Sequence, residues 1–485
     1  MALEISMTAK KTNWRWVICS MLFFATTVNY LDRQVLSMTW KDFIAPEFHW
    51  TDANYGAITG FFSIFYAAMS LFAGKFIDWA GARKGYLWAI FIWSAAACLH
   101  AGCGWLTMKF VGLDSVTALR AVKSGSALAL TIATVSVWLF LGCRALLAVG
   151  EAGNFPAAIK VTALYFPKMD RAFATAVFNA GASVGALAAP LCIPVLAKLY
   201  GWESAFIIIG SLGFMWMALW SKIYAKPEDS RFVNEAELQY IRQDEAGETE
   251  AQIEKEETKT IPFWRCFGYR QTWAFISGKA LTDGVWWFFL FWAPAYFSDQ
   301  FGYATYTPMG QALIFTLYFI VTALSIMGGY LPKLFVEKRG MNPYLGRMRA
   351  MLIFAFVPIL ALFAQPLGAI SPWWPAIIIG LAGAAHQAWS ANLYSTIGDM
   401  FPTSTVASIV GIGTMAGGIS SYIINQGAGI LFDYAGKAGD AFSFMGFSGK
   451  PAAYMIVFSI CAISYLLAWS VIKLLVPRYK PIELK

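Results

Sequence analysis

A chain of 485 residues that is 58% hydrophobic, 17% aromatic and only 13% charged is excluded from the soluble globular class, in which about a quarter of residues are charged. Its net charge of +8 sits in short hydrophilic stretches between apolar runs. That distribution reads as membrane orientation and attraction to anionic lipid, not as nucleic-acid binding.

A helix crosses the hydrocarbon layer with about 20 apolar residues, and twelve runs of that kind follow along the chain. Span one runs from Trp14 to Met38. It is too long for the core of a signal peptide and ends near Asp32, Arg33 and Trp40, not at a small-residue cleavage site, so no cleavable signal is expected. Spans two to six follow at Tyr55 to Ile77, Gly85 to Cys103, Thr131 to Tyr165, Ala172 to Leu199 and Ala205 to Tyr224. An extension at 104–130 interrupts them and is compatible with either a short amphipathic surface helix or a plain loop on the outer side. An acidic hydrophilic segment at 225–270 then separates the halves. It reads as a solvated cytoplasmic linker carrying one or two short helices, one capped by Asn234. Spans seven to twelve run from Thr272 to Phe297, Met309 to Leu334, Met351 to Leu367, Pro372 to Phe401, Val406 to Phe432 and Ala452 to Val476.

The expected architecture is therefore an all-α membrane protein of twelve transmembrane helices in two pseudo-symmetric six-helix bundles, 1–224 and 271–485. Most of the 36 basic residues fall on one side when both termini are cytoplasmic. The bundles resemble each other internally: "LYFPKMDRAFATAVFNAGASVGALAAP" after span four is echoed by "DMFPTSTVASIVGIGTMAGGISS" after span ten, 235 positions later. Parallel six-span repeats with a binding site between them are one established way to build a transporter. The seven cysteines (Cys19, Cys98, Cys103, Cys143, Cys192, Cys266 and Cys461) are scattered without metal-ligand spacing, and free thiols are expected.

Charges inside the spans are few. Each costs from about 2.5 to more than 10 kcal/mol at bilayer depth, so each needs a partner, water or a task. Asp32 and Arg33 are adjacent on span one and point roughly 100° apart, which prevents a good pair between them. Arg144 and Glu151 on span four are two turns apart and share a face. Lys279 and Asp283 on span seven stand at an i,i+4 spacing, and His386 and Gln387 lie together on span ten. These groups read either as ion pairs that stitch helices together or as the lining of a polar cavity. In the cavity reading a carboxylate exchanges protons while a guanidinium binds it in one state and an anionic ligand in another. Tyr30 and Tyr66 would add hydroxyl donors at that depth; Asn179, Asn392 and Thr414 would add neutral hydrogen bonds suited to a polyhydroxylated ligand.

The loop "GKFIDWAGARKG" between spans two and three resembles the loop motif of the major facilitator superfamily in Gly74, Asp78 and Gly81, followed by Arg83. Trp79 and Ala82 stand where arginines are usual. "YLDR" in span one and "CRALLAVGEAGNFP" in span four resemble the anion:cation symporter branch. "VFNAGASVGALAAP", "LTDGVWWFFLFWAPAYF", "GGYLPKLF" and "AHQAW" look most like bacterial hexuronate transporters. The resemblance implies that Asp32 and Glu151 are the proton-linked carboxylates, that Arg144 is coupled to them, and that Tyr30, Arg33, Tyr66 and Thr414 face the substrate. Ala182 replaces a glutamine of galactonate-type members, and Lys279 stands where hexuronate relatives commonly have arginine.

The implied activity is proton-coupled import of a hexuronate by alternating access, with another organic anion such as galactonate or glucarate as the alternative and a drug or cation exporter as a further one. Arg33, Arg144 and Lys279 favour an anionic ligand over the exporter reading. No nucleophile, metal or nucleotide motif suggests an enzyme. The expected partners are the organic anion and membrane lipid, with protons as the coupling ion and no cofactor or nucleic acid. The chain is expected to act as a monomer in the plasma (inner) membrane of a bacterium.

Overall fold

The computed structural model describes residues 11–243, 261–325 and 327–482. Seven helical segments in it are long and apolar enough to cross a membrane, and the pair Trp79–His100 and Cys103–Val111, bent by 49°, makes an eighth. The other four spans are Trp14–Thr39, Arg270–Phe301, Trp373–Met400 and Thr403–Ala438, of 26, 32, 28 and 36 residues. They have the length of membrane spans. They are spans one, seven, ten and eleven, the helices that carry Asp32, Arg33, Lys279, Asp283, His386 and Thr414. A helix facing an aqueous cavity can hold polar groups that a lipid-facing helix cannot.

Span boundaries follow local chemistry. Spans two and three form one helical stretch broken at Gly81, whose φ of 77° lies in the left-handed region that favours glycine. Span four is interrupted between Glu151 and Asn154. Pro156, lacking an N–H, cannot serve the carbonyl of residue 152, which loosens the helix at this turn. Span nine begins at Pro343, capped by Asn342, and passes through a 3-10 turn at Val357–Phe363 before ending at Gly368.

The extension at 104–130 is largely helical, over Cys103–Val111 and Val116–Ala121. Arg120 pairs with buried Glu47 at 2.8 Å, and His49 Nε2 donates to the Leu119 carbonyl at 3.0 Å, so it is docked on the loop after span one. Trp105 and Phe110 stay exposed on it.

Both chain ends lie on one face, here the terminal face. The linker helix Glu235–Ile241, capped by Asn234, sits there against span one. Buried Glu237 accepts from the Trp14 and Arg15 backbone N–H groups, both at 3.1 Å, and from Arg15 Nη1 at 3.0 Å. Linker residues 244–260 lie outside the described residues.

The two halves meet chiefly through span two against span eleven, and their polar contacts are concentrated at the opposite face. There Lys41 and Asp52 of the first half form an ion-pair ring with Asp299 and Lys450 of the second. Asp42 accepts from Ser298 Oγ and the Thr305 N–H, both at 2.7 Å. In return Asp433 accepts from the N–H groups of Asp52 and Ala53, at 2.9 and 3.0 Å, at the start of span two. Deeper in, Ser421 Oγ donates to Ser63 Oγ at 2.8 Å and Tyr55 Oη to the Phe291 carbonyl at 2.8 Å. Among the described residues, no hydrogen bond or ion pair joins the halves at the terminal face. The described polar contacts between the halves thus lie on the face opposite the chain ends, while span two and span eleven stay close toward the terminal face, where a Cβ on Gly411 would stand 2.8 Å from Leu71 Cδ2.

Candidate functional site

Beneath the ion-pair ring, Arg33 binds Glu151 with both Nε (3.0 Å) and Nη2 (2.6 Å) on the single oxygen Oε2. The two side chains are 5% and 0% exposed. The position of Glu151 depends on Gly150: a Cβ there would fall 2.4 Å from the Trp93 nitrogen, so only glycine lets span four press against span three at that level. Four rings surround the guanidinium, with Cζ 5.1 Å from Tyr30, 4.8 Å from Tyr66, 5.1 Å from Trp287 and 5.9 Å from Phe62, all within the range of cation–π attraction.

The other two charges of the first half are buried differently. Both Asp32 oxygens, Nε and Nη1 of Arg144, and both amide atoms of Asn29 have no hydrogen-bond partner among the described residues, and Glu151 Oε1 has none either. Arg144 lies with Cζ 5.4 Å from the Phe62 ring. The shared face expected for Arg144 and Glu151 is present in that both point inward, but the hydrogen-bonded partner of Glu151 is Arg33. Leaving a buried polar atom unpaired costs about 1–3 kcal/mol, so this cluster is not the fully satisfied ion-pair network that would serve only to fasten helices together.

In the second half Lys279 Nζ meets Asp283 Oδ2 at 2.7 Å, with side chains 7% and 10% exposed, and lies 4.8 Å from the Tyr394 ring. Gly417 makes room for this pair, since a Cβ there would stand 2.2 Å from Asp283 Oδ2. Thr414 is partly buried one turn away on the same span. His386 is packed on all sides: its ring stacks on Trp286 at 5.4 Å, and Nδ1 is 2.8 Å from Tyr465 Oη. Gln387 beside it is partly buried. Asn392 donates to the Ala388 carbonyl at 2.8 Å and lines a terminal-face cleft of about 370 Å³ with Lys333 and Arg347. Asn179 is exposed on span five.

Of the loop motif, Gly74 borders open space, Gly81 makes the break, and Arg83 donates to the Ser221 carbonyl at 2.7 Å, a contact inside the first half. The Asp78 side chain lies outside what is described.

Trp287, Tyr394, Phe62 and Asn29 join this region without having been singled out in the sequence. Lys279, Asp283, Trp287 and Phe291 follow one another at intervals of four, one helical face, which is the signal that would have found Trp287. Asn29 is one turn before Asp32.

The sequence profile of the Major Facilitator Superfamily matches residues 22–424. The chain belongs to that superfamily. This facilitator is a multi-pass membrane transporter by family, not an enzyme. It is 27% identical to the hexuronate transporter of Escherichia coli (strain K12), over 87% of this chain and 88% of that one. It is 26% identical to the galacturonate transporter of Dickeya chrysanthemi, over 74% and 94%. The fold matches the crystal structure of a bacterial homologue of the human lysosomal transporter Spinster, inward-facing and occupied, with a TM-score of 0.67 at 18% identity, covering 97% of this chain and 98% of that one.

Proposed function

We propose that this facilitator imports a sugar-acid monoanion, a hexuronate such as glucuronate or galacturonate, together with protons, by rocking its two halves about a central site. The terminal face is cytoplasmic in this reading, because it carries the basic excess, and the face closed by the ion-pair ring is external. The observation that carries the proposal is the Arg33–Glu151 pair: a guanidinium at the meeting of the halves, neutralised by a carboxylate through one oxygen only.

Protonation of Glu151 would end that neutralisation and free Arg33 for the planar, two-bonded grip that guanidinium gives a substrate carboxylate. Loss of the proton to the cytoplasm would return Arg33 to Glu151 and expel the anion. Asp32, buried without a hydrogen-bond partner among the described residues, is the second proton-linked group. Lys279 and Asp283, with Tyr394 beside them, face hydroxyls of the ligand. The relatives named for hexuronate and galacturonate transport support the substrate class.

One proton with one monoanion is electrically neutral. Each further proton would add about 2.3 kcal/mol per 100 mV of membrane potential. The test is uptake of labelled glucuronate, galacturonate, galactonate and glucarate into proteoliposomes under an inward pH gradient, without sodium. Uphill accumulation of a hexuronate is expected; accumulation of none of the four overturns the reading.

A further inference from the structure

We infer that Trp287 is the platform on which the ring of a cyclic sugar acid lies, and that it gives this transporter its preference for pyranose uronates over open-chain sugar acids. The inference rests on the proposed function, whose site it completes. Span seven carries three tryptophans at the level where the halves meet, and two are consumed by packing. Trp286 stacks on His386, and Trp292 is fully buried with its N–H donating to Asn425 Oδ1 at 3.0 Å. Trp287 is only partly buried, and its indole N–H makes no hydrogen bond to another described residue.

Its surroundings are those of a ligand-facing ring. The Tyr66 and Phe62 rings of the first half are 6.0 and 6.1 Å away at interplanar angles of 54° and 56°, and Phe291 of the same helix is 5.3 Å away at 51°; all three are tilted, so no neighbouring ring stacks on the indole. The Arg33 guanidinium is 5.1 Å from the ring. One and two turns toward the terminal face on the same helix stand Asp283 and Lys279. An indole face flanked by a guanidinium on one side and a polar pair on the other matches the three parts of a pyranose uronate. The carboxylate goes to the cation, the apolar C–H face to the π surface and the hydroxyl edge to hydrogen-bonding groups. An open-chain aldonate offers the same carboxylate and hydroxyls but no persistent C–H face.

Trp287 belongs to the second half, whereas Arg33, Tyr30 and Tyr66 belong to the first. A ring resting on it while its carboxylate is held by Arg33 would touch both halves, so cyclic substrates alone gain the contact that draws the halves together.

The experiment compares galacturonate with galactonate, both monoanions, on purified full-length wild type and on Trp287→Leu and Trp287→Phe, by calorimetric or thermal-shift titration. Trp287→Leu is expected to weaken galacturonate about tenfold and galactonate no more than about twofold, with Trp287→Phe between wild type and Leu for galacturonate. Equal weakening of both ligands, or no change in galacturonate affinity, overturns the inference. If wild type binds galacturonate alone, the graded loss from Trp to Phe to Leu is the expected result, and equal affinities overturn it. Wild type that binds neither ligand, nor glucuronate, refutes the proposed function itself. Should Trp287→Leu fail to fold, Trp287→Met, flexible and without a π face, carries the same comparison.

Discussion

Arg33 illustrates how a single residue can be readable by type and unreadable by partner. An arginine inside an apolar run announces itself because its burial is costly. Nothing in the run says that its carboxylate comes from residue 151 and not from its neighbour Asp32; only the crossing of spans one and four decides that. Trp287 is the reverse case. Aromatic residues are ordinary in membrane helices, so its exposure at the centre was invisible until the halves were placed. Two substitutions follow at this scale. Arg33→Lys should leave the fold intact and weaken hexuronate binding by more than about tenfold, because an ammonium cannot reproduce two parallel bonds to a carboxylate; near-normal affinity in a ligand-induced thermal shift would refute the clamp. Glu151→Gln keeps the shape of a protonated carboxyl but cannot release the proton. It should abolish uphill accumulation under a pH gradient and retain counterflow, in which labelled and unlabelled substrate exchange without net proton movement. Gradient-driven concentration by this variant would move the coupling role to Asp32.

At the scale of elements, hydrophobic runs located the spans because length and apolarity are what a bilayer demands. The break in span four was present in its Gly and Pro residues, and the Asn234 cap in a short polar side chain before an amphipathic turn. The docking of the extension was not legible, since Arg120 and Glu47 are ordinary loop charges until the chain brings them together. Nor was the role of the linker helix. Glu237 lies at the N-terminus of span one, fully buried, where its charge meets the positive end of the helix dipole and the Arg15 guanidinium. Replacing it by Ala would strand a buried guanidinium and two first-turn N–H groups, at a cost of about 3–5 kcal/mol. The expected outcome is a clearly lower unfolding temperature with substrate affinity unchanged, because the clasp ties the linker to the first turn of span one at the terminal face and touches none of the residues around Arg33 or Lys279. An unchanged unfolding temperature would show that the linker helix contributes nothing to the bundle.

At the scale of the whole molecule, alternating access requires that whatever seals one face be breakable. The candidates here are the four-charge ring and the reciprocal caps of Asp42 and Asp433. None was singled out from sequence, because charges in loops are unremarkable and the ring unites residues 41, 52, 299 and 450. Each half contributes one cation and one anion, so separating the halves breaks the Lys41–Asp299 and Asp52–Lys450 contacts and leaves Lys41–Asp52 and Asp299–Lys450 intact. No charge is left unpaired in either state, which keeps the cost of opening moderate compared with stranding a buried ion. Removing one cross-half contact should therefore shift the population toward the state open at the face that carries the ring. Lys41→Met and Asp299→Asn are each expected to increase the long-distance fraction between spin labels placed on the ring-bearing ends of the two halves. The double variant should shift less than the sum of the two, since the lost contact is shared. The pH dependence of this coupling has a definite sign. Burial pushes the Lys41 ammonium toward neutrality, but Asp299 and Asp52 outweigh it and hold its pKa above the ordinary lysine range. A base with a raised pKa contributes in full below its ordinary value and loses that contribution only as pH rises through the raised one. The coupling between Lys41 and Asp299 should thus be constant from about pH 6 to 9, well below the ordinary lysine value, even while protonation at the central carboxylates moves the overall population. A coupling that faded within that interval would show that Lys41 is not held charged by the ring, and additive shifts in the double variant would show that the seal lies in the Asp42 and Asp433 caps instead.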